Sequence, residues 1–245
     1  MKYDRVYFLH IPKTGGRFLT KYILNPMESL FANNGIAYFR PPEDMRQHAG
    51  WSSLIDDKTY VISVFREPSE FFVSSVCHDA AIQKKLVDEK NWNVIDGKNL
   101  RVEKQELYEK IDSWKYMRDF QSFNFTFIKN PEHRSVLQEA IANYKNNIFF
   151  DKEIANKRIN RTNLLIRTKD LNSMNYGLLV KKISEDLDIE INIDLSQIDK
   201  TYFKNDASEI LFNSLTQTEK DLILNNFELD KEIYENSSLF WNPNQ

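Results

Sequence analysis

Three apolar runs of strand length, each leading through a polar turn into a helix-spaced pattern, constrain this chain more than any other feature. The first runs from Arg5 to His10 and passes through Ile11-Pro12-Lys13-Thr14-Gly15-Gly16 to Phe18, Leu19, Tyr22 and Ile23. The second, Tyr60 to Phe65, is followed by Arg66-Glu67, by Pro68 where a first helical turn accepts proline, and by Phe71, Phe72, Ser75 and Val76. The third, Leu164 to Ile166, leads to Leu171, Leu178, Leu179, Ile183 and Leu187. Continuous apolar runs mark strands covered on both faces, and strands alternating with helices assemble as a parallel sheet, because a parallel connection must cross back over the sheet. The expected fold is α/β, in three layers, with a central parallel sheet flanked by helices.

A chain of 245 residues suits one α/β domain with a sizeable core, and a second full domain is not expected. The charged stretch from about Asp79 to Asn147, with Trp92, Tyr108, Trp114, Tyr116 and Phe120 scattered through it, reads as helices and connections outside the sheet. Thr216 to Tyr234 reads as a closing helix with Thr216 or Thr218 as its N-cap. The 33 Lys and Arg against 36 Asp and Glu leave a net charge of −3, so no overall positive field exists to hold a nucleic acid, and any bound anion needs a local site. Cys77 is the only cysteine, which excludes an intrachain disulfide and fits a reducing compartment. The run Val6 to Ile11 is too short to span a membrane and lacks a signal-peptide cleavage pattern, so a soluble, cytoplasmic protein without a membrane partner is expected.

The turn Pro12-Lys13-Thr14-Gly15-Gly16-Arg17 has the parts of a phosphate cradle: glycines for close backbone approach, the amides of a helix start, an ammonium and a hydroxyl. A helix start contributes only about 0.3–1 kcal/mol at exposed sites, so several amides and Lys13 must act together. The nucleotide-triphosphate consensus G-x-x-x-x-G-K-[ST] places lysine after its last glycine, whereas Lys13 precedes Gly15 and Gly16. That inversion, with no convincing acidic pair for magnesium at a strand end, points away from an ordinary ATPase or kinase. Taken alone, the turn also fits an ordinary strand-to-helix connection.

His10-Ile11-Pro12-Lys13-Thr14-Gly15-Gly16 resembles the 5'-phosphosulfate loop of the carbohydrate-type sulfotransferases of the heparan sulfate 2-O-sulfotransferase kind. That family has a P-loop-like α/β fold and uses 3'-phosphoadenosine-5'-phosphosulfate (PAPS) without a metal. About fifty residues on, Val64 to Ser74 is similar to the family's 3'-phosphate segment, where an arginine at a strand end and a serine eight residues later hold one phosphate; Arg66 and Ser74 stand there. Two positions depart from the pattern: Arg17 replaces a customary Ser or Thr, and Phe71 replaces a second arginine. The resemblance implies one sulfotransferase domain over residues 1–245 with a helical insertion at about 79–147. It also implies that Lys13, Thr14, Gly15, Gly16, Arg17, Phe18, Arg66 and Ser74 hold PAPS, with no metal ligand; Thr201, with Lys200 before it, stands where the family closes a late loop over the nucleotide, a short match that fits a plain polar loop better.

Arg46-Gln47-His48-Ala49-Gly50-Trp51-Ser52 resembles the family's His-Ala-x-x-Ser stretch, which implies His48 as general base. Histidine titrates near neutrality and suits that task. His10 at the end of the first strand, His78 in the second helix and His133 in a charged stretch lack this placement. Lys13 is the candidate for stabilising the leaving phosphate. Arg40, Arg46, Lys157, Arg158 and Arg161 are either a basic acceptor site or scattered surface charges. The expected activity is sulfuryl transfer from PAPS to a hydroxyl of a small-molecule or glycan acceptor, carbohydrate favoured. A P-loop-type nucleotide kinase and a non-catalytic nucleotide-binding module are the alternatives.

Overall fold

In the computed structural model, which describes residues 2–39, 50–52, 55–87, 100–126, 136–146, 151–172, 174–190 and 206–244, four strands form one sheet. They are β1 (Arg5–Leu9), β2 (Ala37–Phe39), β3 (Thr59–Phe65) and β4 (Leu164–Arg167), in the order β2-β1-β3-β4, with every neighbouring pair parallel. The three expected strands are present. The short edge strand β2 escaped the sequence reading because its three residues are half-exposed or exposed and make no apolar run. Central β3 is buried along its whole length, as a strand covered on both faces requires.

Period-two alternation divides the strand side chains between two cores. Tyr7, Leu9, Val61, Phe65 and Leu165 enter one, and Val6, Phe8, Tyr60, Ile62, Val64, Leu164 and Ile166 the other. The second core is closed by α1 (Gly16–Leu19), a π turn (Thr20–Leu24), α2 (Asn25–Asn33) and, after β4, α8 (Tyr176–Leu187). Pro26 explains the π turn: it has no N–H to offer the Tyr22 carbonyl one turn back, and that carbonyl accepts the Tyr176 hydroxyl instead.

The first core is closed by α3 (Pro68–Gln83), α4 (Lys104–Ser113), α5 (Phe120–Thr126), α6 (Val136–Lys145) and α7 (Lys152–Arg161), together with α9 (Asp206–Ser214), α10 (Gln217–Leu224) and α11 (Glu228–Glu235). Two expectations change here. Within 79–147, α5 is buried from Phe120 to Phe125 and puts Phe120, Phe123 and Phe125 into the core, and Asp79 to Gln83 still belong to α3. The expected closing helix is two helices: Thr216 caps α10 through a capping box with Glu219, and the chain breaks at Asn225–Phe227 before α11 begins. The free edge of β4 is covered by the C-terminal segment, where the Trp241 amide donates to the Leu165 carbonyl at 2.8 Å. No helix among the described residues is long and apolar enough to cross a membrane.

α5 and α11 start by capping one another. The Asp230 carboxylate accepts the Gln121 amide at 3.1 Å, the Ser122 amide at 2.8 Å and the Ser122 hydroxyl, while the Asp230 amide donates to Asp119 Oδ1 at 3.0 Å. Burial, then the neighbouring Asp119 carboxylate, raises the Asp230 pKa well above the usual carboxylate range. The folded state therefore binds more protons than the unfolded chain above about pH 4, and the contribution of this junction falls as pH climbs toward neutrality. Asp230→Asn keeps an acceptor for one of the two amides and removes the titrating group, so it should lower stability overall and flatten that decline. Melting temperatures of both proteins from pH 4 to 8 check this, and parallel curves would reject it.

Candidate functional site

The strand order places a topological switch between β1 and β3, because the chain leaves β1 toward β2 on one side and returns with β3 on the other. Connections that diverge in this way open a crevice outside the carboxyl ends of the two strands, where ligands of open α/β sheets bind. The turn after β1 and the turn after β3 both lie at that crevice.

The backbone of the first turn is bent at two residues. Lys13 has φ 64° and Gly15 φ 89°, with Thr14 at negative φ between them. Alternation between the two hands gathers successive amides into a concavity suited to an anion. Gly15 is the N-cap of α1, and no side chain caps that helix start. Gly16 is required for space: a Cβ there would fall 2.3 Å from His10 Cδ2 and 2.8 Å from Phe8 Cζ. His10, buried and stacked on Phe8 at 5.3 Å between ring centroids, is thus a wall of the turn. Gly16→Ala forces those rings apart and should cost about 1–3 kcal/mol, read as a lower midpoint in denaturant unfolding; an unchanged midpoint would reject this packing.

Lys13, Arg17 and Arg66 gather their charges at the crevice. Arg66 Nη1 donates to the Lys13 carbonyl at 3.3 Å, and its Nε donates to Glu70 Oε2, also at 3.3 Å. The pairing with Glu70 and the approach to the first turn therefore coexist. Lys13 keeps a partly exposed surface, yet its ammonium lies deep among protein atoms. Burial first, then the positive charges of Arg17 and Arg66, lower its pKa to about 7. An anion between these groups removes that penalty.

The other expected site residues are placed as follows. The Thr14 hydroxyl is fully buried and donates to the Ile11 carbonyl at 2.9 Å, so it closes the turn rather than facing outward. Phe18 turns its ring into the core beside Tyr22 and Tyr176, and its amide donates to the Gly15 carbonyl at 3.0 Å. Both therefore support the cradle from beneath. Ser74 is buried on α3. Cys77 lies one turn further along the same face and is also buried. Burial holds the Cys77 thiol up at about 12. Phe71 lies fully buried and stacked on Phe120, a core residue with no polar role.

His48 and Thr201 lie outside the described residues, as do Arg40, Arg46, His133 and Lys200. Gly50, two residues after His48, has its carbonyl bound by the Tyr7 hydroxyl at 2.8 Å, and the Trp51 amide donates to the Asn124 carbonyl at 3.1 Å. Arg158 and Arg161 flank the Trp51 ring at 5.4 and 5.8 Å, and Arg158 also donates to the Phe125 carbonyl. Their contacts with Trp51 and the backbone tie α7 to the rest of the structure.

Two residues of the site were not anticipated. Thr168, just past β4, donates its hydroxyl to the Thr14 carbonyl at 2.6 Å and lies 3.3 Å from the Phe65 carbonyl, so the ends of β1, β3 and β4 are tied together. It follows β4 as Arg66 follows β3, but Arg167 stands between it and the third apolar run, so the sequence alone did not mark it. Gln121 accepts from the Arg66 amide at 2.8 Å and donates to the Arg66 carbonyl at 2.9 Å. Nothing in the sequence around Gln121 marks it.

Comparison with known proteins finds no family model, no curated protein and no solved structure that matches this chain.

A depressed lysine pKa gives a signed expectation. Between pH 7 and the unfolded value of 10.5 the unfolded chain binds more protons at Lys13, so this group makes the anion-free protein more stable as pH rises through that window. Anion affinity moves oppositely, weakening as pH rises through about 7, and above that point binding takes up a proton. Titration calorimetry with inorganic sulfate at pH 8, in buffers of differing ionisation enthalpy, should report this uptake. Lys13→Met should abolish it, and uptake that survives the substitution would assign it elsewhere.

Proposed function

We propose that this protein is a PAPS-dependent sulfotransferase that moves a sulfuryl group to a hydroxyl of a small-molecule or glycan acceptor, with carbohydrate favoured. The observation that carries the reading is the convergence of the two turns: Arg66 Nη1 lies 3.3 Å from the Lys13 carbonyl, although 53 residues separate them in the chain. The strings that resemble the family's two phosphate segments thus face one crevice at the switch between β1 and β3. A site with Lys13, Arg17 and Arg66 crowded together, and with the charge of Lys13 partly suppressed, suits a highly anionic ligand.

In this reading the first turn receives the 5'-phosphosulfate, and Arg66 with Ser74 receives the 3'-phosphate. Lys13 offers its ammonium to the bridging oxygen, where negative charge grows as the sulfur–oxygen bond breaks; that contact is stronger in the transition state than before it. His48 takes the acceptor proton as the acceptor oxygen bonds to sulfur, and adenosine 3',5'-bisphosphate (PAP) leaves. Arg17 adds a third positive charge where the family carries a hydroxyl.

Calorimetry with PAP and with ATP, each with and without magnesium, tests the donor. PAP should bind without metal and more tightly than ATP, and a preference for magnesium-bound ATP would overturn the assignment in favour of a kinase. Transfer of labelled sulfate to glycans, phenols and lipids tests the reaction. His48→Ala should lower the rate by about 10²–10⁴-fold with PAP affinity unchanged, whereas Lys13→Ala should weaken both affinity and turnover. One observation favours a second reading, a nucleotide-binding module without turnover: Phe71, at the place of the family's second arginine, is wholly enclosed in the core. Tight PAP binding with no transfer across the acceptor screen would select it.

A further inference from the structure

We propose that Gln121 is a positioning residue for Arg66: its side-chain amide clamps the Arg66 backbone so that the guanidinium is delivered to the Lys13 turn. Anion recognition at the crevice then depends on a residue that touches no anion. The inference rests on the reading of Arg66 as a phosphate ligand.

The geometry is that of a substitute strand. Pairing between β3 and β4 ends at Phe65 opposite Arg167, so Arg66 is the first residue past the ladder. There the Gln121 amide supplies what a neighbouring peptide would have supplied, accepting from the Arg66 N–H at 2.8 Å and donating to the Arg66 carbonyl at 2.9 Å. Two bonds made by one planar group fix the orientation of the Arg66 peptide units, and with it the direction in which a long side chain leaves the backbone. From that anchor the guanidinium reaches both the Lys13 carbonyl and Glu70. Gln121 is fully buried, so water cannot replace it without reopening the core.

Gln121 is itself fixed. Its main-chain N–H donates to Asp230 at 3.1 Å, the adjacent Ser122 binds the same carboxylate, and the Asp230 main-chain N–H is held by Asp119. The links are hydrogen bonds of 2.8–3.1 Å, buried from the start of α11 through the start of α5 and part-buried where they reach Arg66 at the end of β3. A glutamine needed only to close a strand end would leave the phosphate selectivity of the crevice unchanged when replaced; a positioning residue would not.

Calorimetry on the full chain separates the two, using PAP, adenosine 5'-monophosphate (AMP, which lacks the 3'-phosphate) and inorganic sulfate. The proteins are wild type, Arg66→Ala, Gln121→Leu, Gln121→Glu and the double variant Arg66→Ala/Gln121→Leu. Arg66→Ala should weaken PAP binding about tenfold or more and Gln121→Leu about fivefold, with AMP affinity within about twofold of wild type in both. The double variant should bind PAP no more weakly than Arg66→Ala alone, because Gln121 acts through Arg66. Gln121→Glu keeps the acceptor for the Arg66 N–H and loses the donor, so it should fall between wild type and Gln121→Leu; it replaces the leucine variant if that one does not fold. Wild-type PAP affinity in both Gln121 variants, equal losses of PAP and AMP, or additive losses in the double variant would each overturn the proposal. If the wild-type protein does not prefer PAP to AMP, the donor reading fails, and sulfate decides the fate of Gln121. Parallel, non-additive weakening of sulfate binding by Arg66→Ala and Gln121→Leu then upholds the clamp, and sulfate binding that ignores either substitution rejects it.

Discussion

A lysine ammonium held deep in the protein beside two guanidiniums is the constraint on which the rest of this structure depends. Lys13, Arg17 and Arg66 repel one another, and burial adds a desolvation cost that lowers the Lys13 pKa to about 7. Left to themselves, three long cationic side chains would spread into water. They stay together because the backbones that carry them are pinned: Lys13 in a left-handed turn, Arg66 by the reciprocal amide pair with Gln121, and Arg17 on the first turn of α1 beside Gly16, whose missing Cβ lets His10 and Phe8 pack close. The electrostatic strain is local, and the whole sheet shares in holding it.

That sharing has a definite route. Thr168 bridges the end of β4 to the Thr14 carbonyl, Arg66 bridges the end of β3 to the Lys13 carbonyl, and the first turn is therefore bound on two sides by its neighbours in the sheet. Behind Arg66 stand the buried caps of α5 and α11, whose carboxylates serve main-chain amides instead of cations. These buried acidic groups stand behind Arg66, apart from the basic cluster at the crevice. The Glu70 carboxylate reaches Arg66 at 3.3 Å, where it is half-exposed and well placed to be screened by water.

Much of this was legible beforehand. The runs at Arg5, Tyr60 and Leu164 announced three strands because short unbroken apolar series bounded by polar turns suit strands covered on both faces. The glycine pair and Pro68 announced the turns that follow the first two. Other features were not. β2 is too short and too exposed to carry a pattern, and the break between α10 and α11 falls in a stretch whose apolar spacing continues across it. The Thr14 hydroxyl looked like a ligand and is consumed inside its own turn, a choice made by a backbone carbonyl three residues away. Gln121 was invisible, since a polar residue in an aromatic helix gives no hint of which distant strand it will meet.

By itself, then, the order of residues determined the layered α/β architecture and the chemistry of the two turns, because both follow from local patterns: hydrophobic period, glycine freedom, proline geometry and the charge a side chain must carry. Tertiary structure alone decided that the two turns share a crevice, and that Thr168 and Gln121 brace the cluster. Those outcomes depend on contacts between residues tens to hundreds of positions apart. Such contacts are set by strand order and packing, which no local pattern encodes.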